Sequence, residues 1–210
     1  MVNRKTILSE DFNMKNEEAS YKTTSTLLAI ARKHFTEFGY YDVSLEKIAE
    51  EGNVTRGAVY HHFKNKQGLF TAVLDRVQKD VSIQIEQEAV KSDDPWQQLI
   101  LGCFGFVKGA NAKENKRILL IDAPAALGWS TWRKIDQANS MNVLQQHIND
   151  LSDSGFLCDN VDIVLMTCSI SGALNELALN YSQDIEANDD NIISTITHLV
   201  NGFKKTEVQL

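Results

Sequence analysis

Proline and glycine are scarce, with 2 and 11 in 210 residues, against a plentiful supply of Leu, Ile, Ala, Glu and Lys. A chain with so little punctuation favours helices over a turn-rich sheet, and collagen-like and low-complexity classes are excluded. Cysteine is equally sparse: Cys103, Cys158 and Cys168 are odd in number, show no CxxC spacing and sit in apolar surroundings. Buried free thiols are expected, rather than a disulfide framework or a zinc site. No apolar run approaches the roughly eighteen residues of a membrane span. The opening MVNRKTILSEDFNMKNEEAS lacks the apolar stretch of a signal peptide. A cytoplasmic protein with no membrane partner is expected. HExxH, GxxxxGK[ST], GxSxG and CxxC are all missing, so no catalytic residue, cofactor or metal site is assigned and an enzyme is disfavoured.

What is present is a chain 43% apolar and 23% charged, able to bury a core in one domain or two small ones. Its net charge of −7 is unevenly spread: residues 1–21 carry three basic and four acidic groups, 22–80 nine and seven, and 81–210 nine and seventeen. A net-positive segment therefore sits in an acidic chain. Within 53–66, Arg56, Lys64 and Lys66 face no acidic residue, which leaves a local basic patch.

Leu27, Ile30, Ala31, His34, Phe35 and Phe38 recur at helical spacing, and Gly39 is a natural stop. Ser44 caps a short second helix over Leu45, Ile48 and Ala49, with Lys47 where a capping box would place Glu or Gln. Gly52 ends it. Thr55 then caps RGAVYHHF, whose apolar side is Ala58, Val59 and Phe63. A longer fourth helix starts near Gln67, and its stripe runs Phe70, Val73, Leu74, Val77, Val81, Ile85. Asp94 and Pro95 open a fifth, with Trp96, Leu99, Ile100, Cys103, Phe104 and Val107 on one face. In RILLIDAPAALGWSTW, Pro124 and Gly128 predict a short helix, a break and a new helix from about Ser130. The stretch 161–181 is apolar nearly all round. A final helix opened by Asp189 or Asp190 carries Ile192, Ile196, Leu199, Val200 and Phe203. The pattern predicts an all-α protein of about nine helices and no strand.

The second and third helices, two short pieces about a glycine turn, meet the requirements of a helix-turn-helix over about 44–63. Thr55 offers a hydroxyl and backbone N–H to a phosphate at a helix N-terminus. Arg56 is the best placed for a base edge. Gly57 removes a side chain where the backbone would approach DNA, at about 1 kcal/mol in helix propensity. Tyr60 and His61 project from the next turn, while Ser44, Lys64 and Lys66 complete the candidate DNA-binding set. Bland alternatives stand beside these: Tyr60 as a core plug, Lys64 as a solvated helix-end charge, His62 as a packing or solvent residue. The pair His61 and His62 lacks ligand spacing, with no partner at i+4.

The stretch SLEKIAEEGNVTRGAVYHHFKNKQGLF resembles the DNA-binding signature of the TetR family of bacterial transcriptional regulators. The resemblance runs over about 22–80 and includes the FxxFGY end of helix one and the KxxLF start of helix four. It implies a two-domain, all-helical homodimer that binds double-stranded DNA through helices one to three, the rest forming a ligand pocket and dimer interface. LLIDAPAALGWSTWRKID is similar to a segment found in part of the family. Two features depart from the pattern: the polar arm before Tyr21 is long, and Gly68 stands where a helix former is usual.

The expected organisation is a polar arm at 1–21, a DNA-binding domain at 22–80 and a ligand-binding and dimerisation domain at 81–210. The expected function is that of a repressor released from an inverted-repeat operator by an unidentified small molecule. The alternatives are a transcriptional activator or a protein-docking adaptor. Trp96, Phe104, Asp122, Trp129, Trp132 and Met141 are the candidate ligand contacts, between helix five and the segment from Asp122 to Met141, with plain core as their rival role. For the dimer, small residues about Gly172 would permit close approach, while Leu165, Leu174, Ile196 and Leu199 supply apolar area.

Overall fold

The computed structural model describes residues 4–180 and 189–205. It is all-helical, as α1 (Arg4–Asp42), α2 (Leu45–Glu51), α3 (Arg56–Phe63), α4 (Lys66–Ala89), α5 (Pro95–Asn111), α6 (Lys113–Lys116), α7 (Ala123–Leu127), α8 (Trp129–Asp136), α9 (Asn142–Asp153), α10 (Ile163–Asn180) and α11 (Asp189–Asn201). Two π-helical stretches, Arg117–Asp122 and Gln137–Met141, join α6 to α7 and α8 to α9. Among the described residues no strand forms; Leu157 and Lys204 make an isolated antiparallel bridge. Among the described residues, several of the eleven helical segments are short pieces around the π turns, in keeping with the expectation of about nine helices.

The chain divides into two compact units, Met1–Val73 and Leu74–Leu210, with the division inside α4. In the first unit, Leu27, Ala31 and Phe35 of α1, Ile48 of α2, Val59 of α3 and Phe70 of α4 are buried together. Phe70 meets Phe35 edge-on at 5.0 Å and Tyr40 at 4.9 Å. Phe38, expected on the buried face, is 45% exposed, with its ring edge against His34. From Arg4 onward the backbone of the polar arm is helical and continuous with α1; of the arm, residues 1–3 lie outside the described part. Gly39 keeps its role as an interruption, at φ 79°, before the helix resumes to Asp42.

The second unit is built around α5, twelve of whose seventeen residues are buried. Asp94 caps it by accepting from Gln97 N–H at 2.7 Å, and Pro95 takes the first turn, where a missing N–H is harmless. Helices α9, α10 and α11 pack on it, and Trp96 Nε1 donates to Asn201 Oδ1 of α11 at 2.9 Å. The expected break falls at Gly128, φ 80°, and not at Pro124, which is accommodated in the first turn of α7. Helix α10, 18 residues of mean hydropathy 1.3, is long and apolar enough by length and composition to cross a membrane, contrary to the expectation of no such run. It is two-faced, however: Met166, Ile170, Leu174 and Ala178 are buried, while Val164, Leu165, Ser169 and Gly172 are exposed. Tyr181, the expected helix end, lies outside the described residues.

Candidate nucleic-acid interface

Helices α2 and α3 meet at a turn whose geometry is locally determined. Ser44 Oγ accepts from the N–H groups of Glu46 and Lys47 at 3.2 and 3.4 Å, and Thr55 Oγ1 accepts from Ala58 N–H at 3.2 Å. Gly52 is the C-cap of α2, but the left-handed residue is the next one, Asn53 at φ 51°. Gly52 serves close packing instead: a β-carbon there would stand 2.8 Å from Leu27 Cδ2. Helix α3 ends at Lys64, also left-handed at φ 66°, whose N–H caps Tyr60 O at 2.8 Å.

Only one face of α3 is buried, by Val59 and Phe63. Thr55, Arg56, Gly57, Tyr60 and His61 are exposed, and Lys64 is exposed at the helix end. A β-carbon on Gly57 would meet only Thr55 Oγ1, at 3.7 Å, so no neighbour within the protein requires a glycine here. Tyr60, offered the alternative of plugging the core, is 38% exposed. His62 instead turns inward, its Nδ1 3.3 Å from Thr24 Oγ1 of α1.

The face is organised by a residue that sequence reading passed over. Glu46 Oε1 lies 2.9 Å from Arg56 Nη1, Arg56 Nη2 donates to Tyr60 Oη at 3.0 Å, and Ser44 Oγ donates to Glu46 Oε2 at 2.8 Å. The Arg56 guanidinium also lies 5.2 Å from the centre of the Tyr60 ring. The Ser44 hydrogen bond holds the Glu46 carboxyl below its ordinary range, with a further contribution from Arg56; the Tyr60 hydrogen bond and then Glu46 raise Arg56. Ten positions separate Glu46 from Arg56, so no spacing within one helix signals the pair. An acidic residue in the first turn of α2, beside a basic α3, was the available hint.

Lys66, expected as a phosphate contact, is half-buried. Its Nζ donates to Tyr41 O at 2.8 Å and lies 5.0 Å from the Tyr40 ring centre. Partial burial lowers its pKa. It ties the end of α1 to the start of α4, which leaves Lys64 as the exposed cation of this turn. Ser44 is likewise half-buried and engaged in capping.

The second unit contains a cavity of about 180 Å³. Ile85 and Ala89 of α4, Leu99, Cys103 and Phe106 of α5, Met141, Leu144 of α9 and Leu174 of α10 line it with apolar groups, and Glu86, Gln98, Asp136, Ser140, His147 and Ser171 with polar ones. Of the six candidate ligand contacts, only Met141 lines it. Trp96 is buried on Asn201, and Phe104 is packed in the core. Trp132 donates from Nε1 to Leu119 O at 3.0 Å. Asp122 is buried with Arg117 Nε 3.5 Å away, and Trp129 is 65% exposed. The indole N–H groups of Trp96 and Trp132, paired with partners on other segments, fix these two tryptophans as packing residues. Asp136 accepts from Arg133 Nη1 at 2.9 Å, and burial raises its pKa against the pull of that arginine. Burial pushes the Cys103 thiol up to about 12. Among the described residues no group of His, Cys, Asp and Glu is placed to hold a metal ion.

Comparison with known proteins places both units. Residues 27–73 match the model of bacterial regulatory proteins of the tetR family, and residues 96–203 match that of the tetracyclin repressor-like C-terminal domain. The HTH-type transcriptional regulator AcrR of Shigella flexneri is 28% identical over 107 residues, 50% of this chain and 50% of that protein. The match to that relative thus spans half of its length. The probable acrEF/envCD operon repressor of Escherichia coli K12 is 26% identical over 182 residues, 83% of each. A TetR-family transcriptional regulator from Pectobacterium atrosepticum superposes with a TM-score of 0.71 at 28% identity, over 90% of this chain and 97% of that one. NalD of Pseudomonas aeruginosa, a secondary repressor of a multidrug efflux pump, shares the fold with a TM-score of 0.66 at 23% identity, over 90% and 98%. With its C-terminal match alone covering half of the chain and its helix-turn-helix matched as well, this protein belongs to the TetR family of bacterial regulators.

Proposed function

We propose that the protein is a cytoplasmic transcriptional repressor that binds an inverted-repeat operator as a homodimer and is released by a small, mainly apolar ligand. The observation that carries the reading is the outer face of α3, where Thr55, Arg56, Gly57, Tyr60 and His61 are exposed side by side. Such a face enters a major groove: a helix N-terminus for a phosphate, an arginine for a base edge, and a glycine where backbone and DNA approach. His61 and Lys64 take phosphates, with Thr55. The repressor names of the relatives support that sign of regulation. An adaptor surface would instead expose apolar or acidic residues along α3, and α3 itself carries no acidic side chain.

One short helix reads only a few base pairs, so two copies are needed for a specific site. Helix α10 offers the dimer face through Val164 and Leu165, 56% and 65% exposed, followed by Ser169 and Gly172. Leu174 and Ile196, expected at that interface, are buried within the protomer and belong to its core; Leu199 is half-buried. The inducer occupies the cavity at Met141. Its size is comparable with apolar enclosures of about 150 Å³ that take up benzene. Release requires that the ligand favour one dimer geometry over the other, since equal affinity for both shifts nothing.

The test is selection of bound fragments from genomic DNA, followed by mobility shifts and a thermal screen of small apolar compounds. A selected fragment carrying an inverted repeat, with a stabilising compound that releases it, is the expected result. Equal retention of all fragments would refute the reading.

A further inference from the structure

We infer that Glu46 is a specificity-determining positioning residue of the DNA interface: it fixes the Arg56 guanidinium against Tyr60 for a base edge and discourages its use on phosphates at random. The inference rests on the proposed DNA-binding reading of α3.

Three observations carry it. First, Glu46 joins three side chains already singled out for DNA, Ser44, Arg56 and Tyr60, into one hydrogen-bonded chain across the N-termini of α2 and α3. Second, the Glu46 and Arg56 side chains are 55% and 61% exposed. A surface ion pair contributes little to stability, so holding the fold does not account for the arrangement. Third, the carboxylate lies 2.9 Å from the arginine of the proposed DNA face, where it would repel phosphates.

A fixed guanidinium explains why that repulsion is useful. An arginine reads guanine through two parallel N–H donors in one plane, and two donors held by Glu46 and Tyr60 leave further N–H groups for that purpose. Grasping a phosphate out of register requires the side chain to leave Glu46, and the freed carboxylate then faces the backbone. Specific binding keeps the pair and random binding breaks it. Specificity is a difference of affinities, and Glu46 enlarges it by weakening the competitor.

The experiment uses the full chain with duplexes it selects from a random library, and a scrambled duplex of equal length, titrated at several salt concentrations. Glu46→Ala should bind the scrambled duplex about three- to tenfold tighter, with a salt slope steeper by about one phosphate. Its ratio of selected to scrambled affinity should fall about tenfold. Glu46→Asp keeps the charge but is too short to hold Arg56; it should lose the ratio without gaining on the scrambled duplex. Melting temperatures report whether either variant has disturbed α2. A ratio left unchanged by Glu46→Ala overturns the inference, as does a wild-type ratio in Glu46→Asp, which would reduce Glu46 to bulk charge. Failure of the DNA reading itself shows elsewhere: wild type would then enrich no sequence and Arg56→Ala would change nothing, and both ideas would fall.

Discussion

Gly68 and the carbonyl of Phe63 are packed so closely that a β-carbon on Gly68 would stand 2.1 Å from the Phe63 oxygen. The contact lies in the turn that joins α3 to α4, where Asn65 Oδ1 accepts from Gly68 N–H at 2.8 Å. A position that looks like a departure from the family pattern is therefore a steric requirement of this turn. A β-carbon on Gly57, in contrast, would make only an ordinary contact, 3.7 Å from Thr55 Oγ1.

The two glycines should respond oppositely to alanine. Gly68→Ala must displace backbone and should lower the melting temperature of the DNA-binding unit. Gly57→Ala gains helix propensity of up to about 1 kcal/mol and should raise it, while weakening duplex binding by crowding the approach. Thermal melts and mobility shifts on both variants check this; a Gly57→Ala protein with unimpaired binding would remove the close approach of DNA at that point.

The proposed dimer face is tested by Gly172→Trp. Outside its own helix backbone and chain neighbours, no atom lies within 4 Å of a β-carbon at Gly172, so the protomer has room for a larger side chain, whereas a partner's α10 packed on this stripe would leave none. The variant should sediment as a monomer at micromolar concentration and keep its helical content. Leu174→Asp, placed in the core, should unfold the second unit instead. A Gly172→Trp dimer as tight as wild type would move the interface away from this stripe.

Asp136 gives a pH signature. Burial raises its pKa above the ordinary 3.8, with Arg133 opposing. A carboxyl raised by folding stabilises the fold fully below its unfolded value, and that contribution is lost as pH rises through the folded value. Asp136→Asn carries no such loss. The stability of wild type relative to Asp136→Asn, from urea unfolding at each pH, should thus decline from about pH 4 towards neutrality. A relative stability that grows with pH would mean that the Arg133 pair outweighs burial.

Local chemistry made the helix starts legible. Ser44, Thr55 and Asp94 mark them because a cap satisfies donors within three residues, and the structure begins α2, α3 and α5 one residue after each. The cavity was not legible in that way. Its wall is assembled from α4, α5, α9, α10 and the residues around the second π turn, and a π turn shifts side-chain register without a sequence signal as plain as a cap. The aromatic excess around Pro124 and Gly128 suggests a void. Hydrogen bonds from Trp96 to Asn201 and from Trp132 to Leu119 fix those side chains in the packing instead. Lys66 shows the same limit on the DNA side, since its basic charge is visible in sequence and its tie to the Tyr41 carbonyl is not.

The most direct test of the account is the affinity of wild type and Arg56→Ala for a selected duplex and a scrambled one at a single physiological salt concentration. Wild type should prefer the selected duplex by about a thousandfold or more. Arg56→Ala should lose roughly ten- to a hundredfold on the selected duplex and far less on the scrambled one, with relaxed preference at one symmetric pair of positions. Equal losses on both duplexes, or none on either, would contradict sequence-specific recognition through α3.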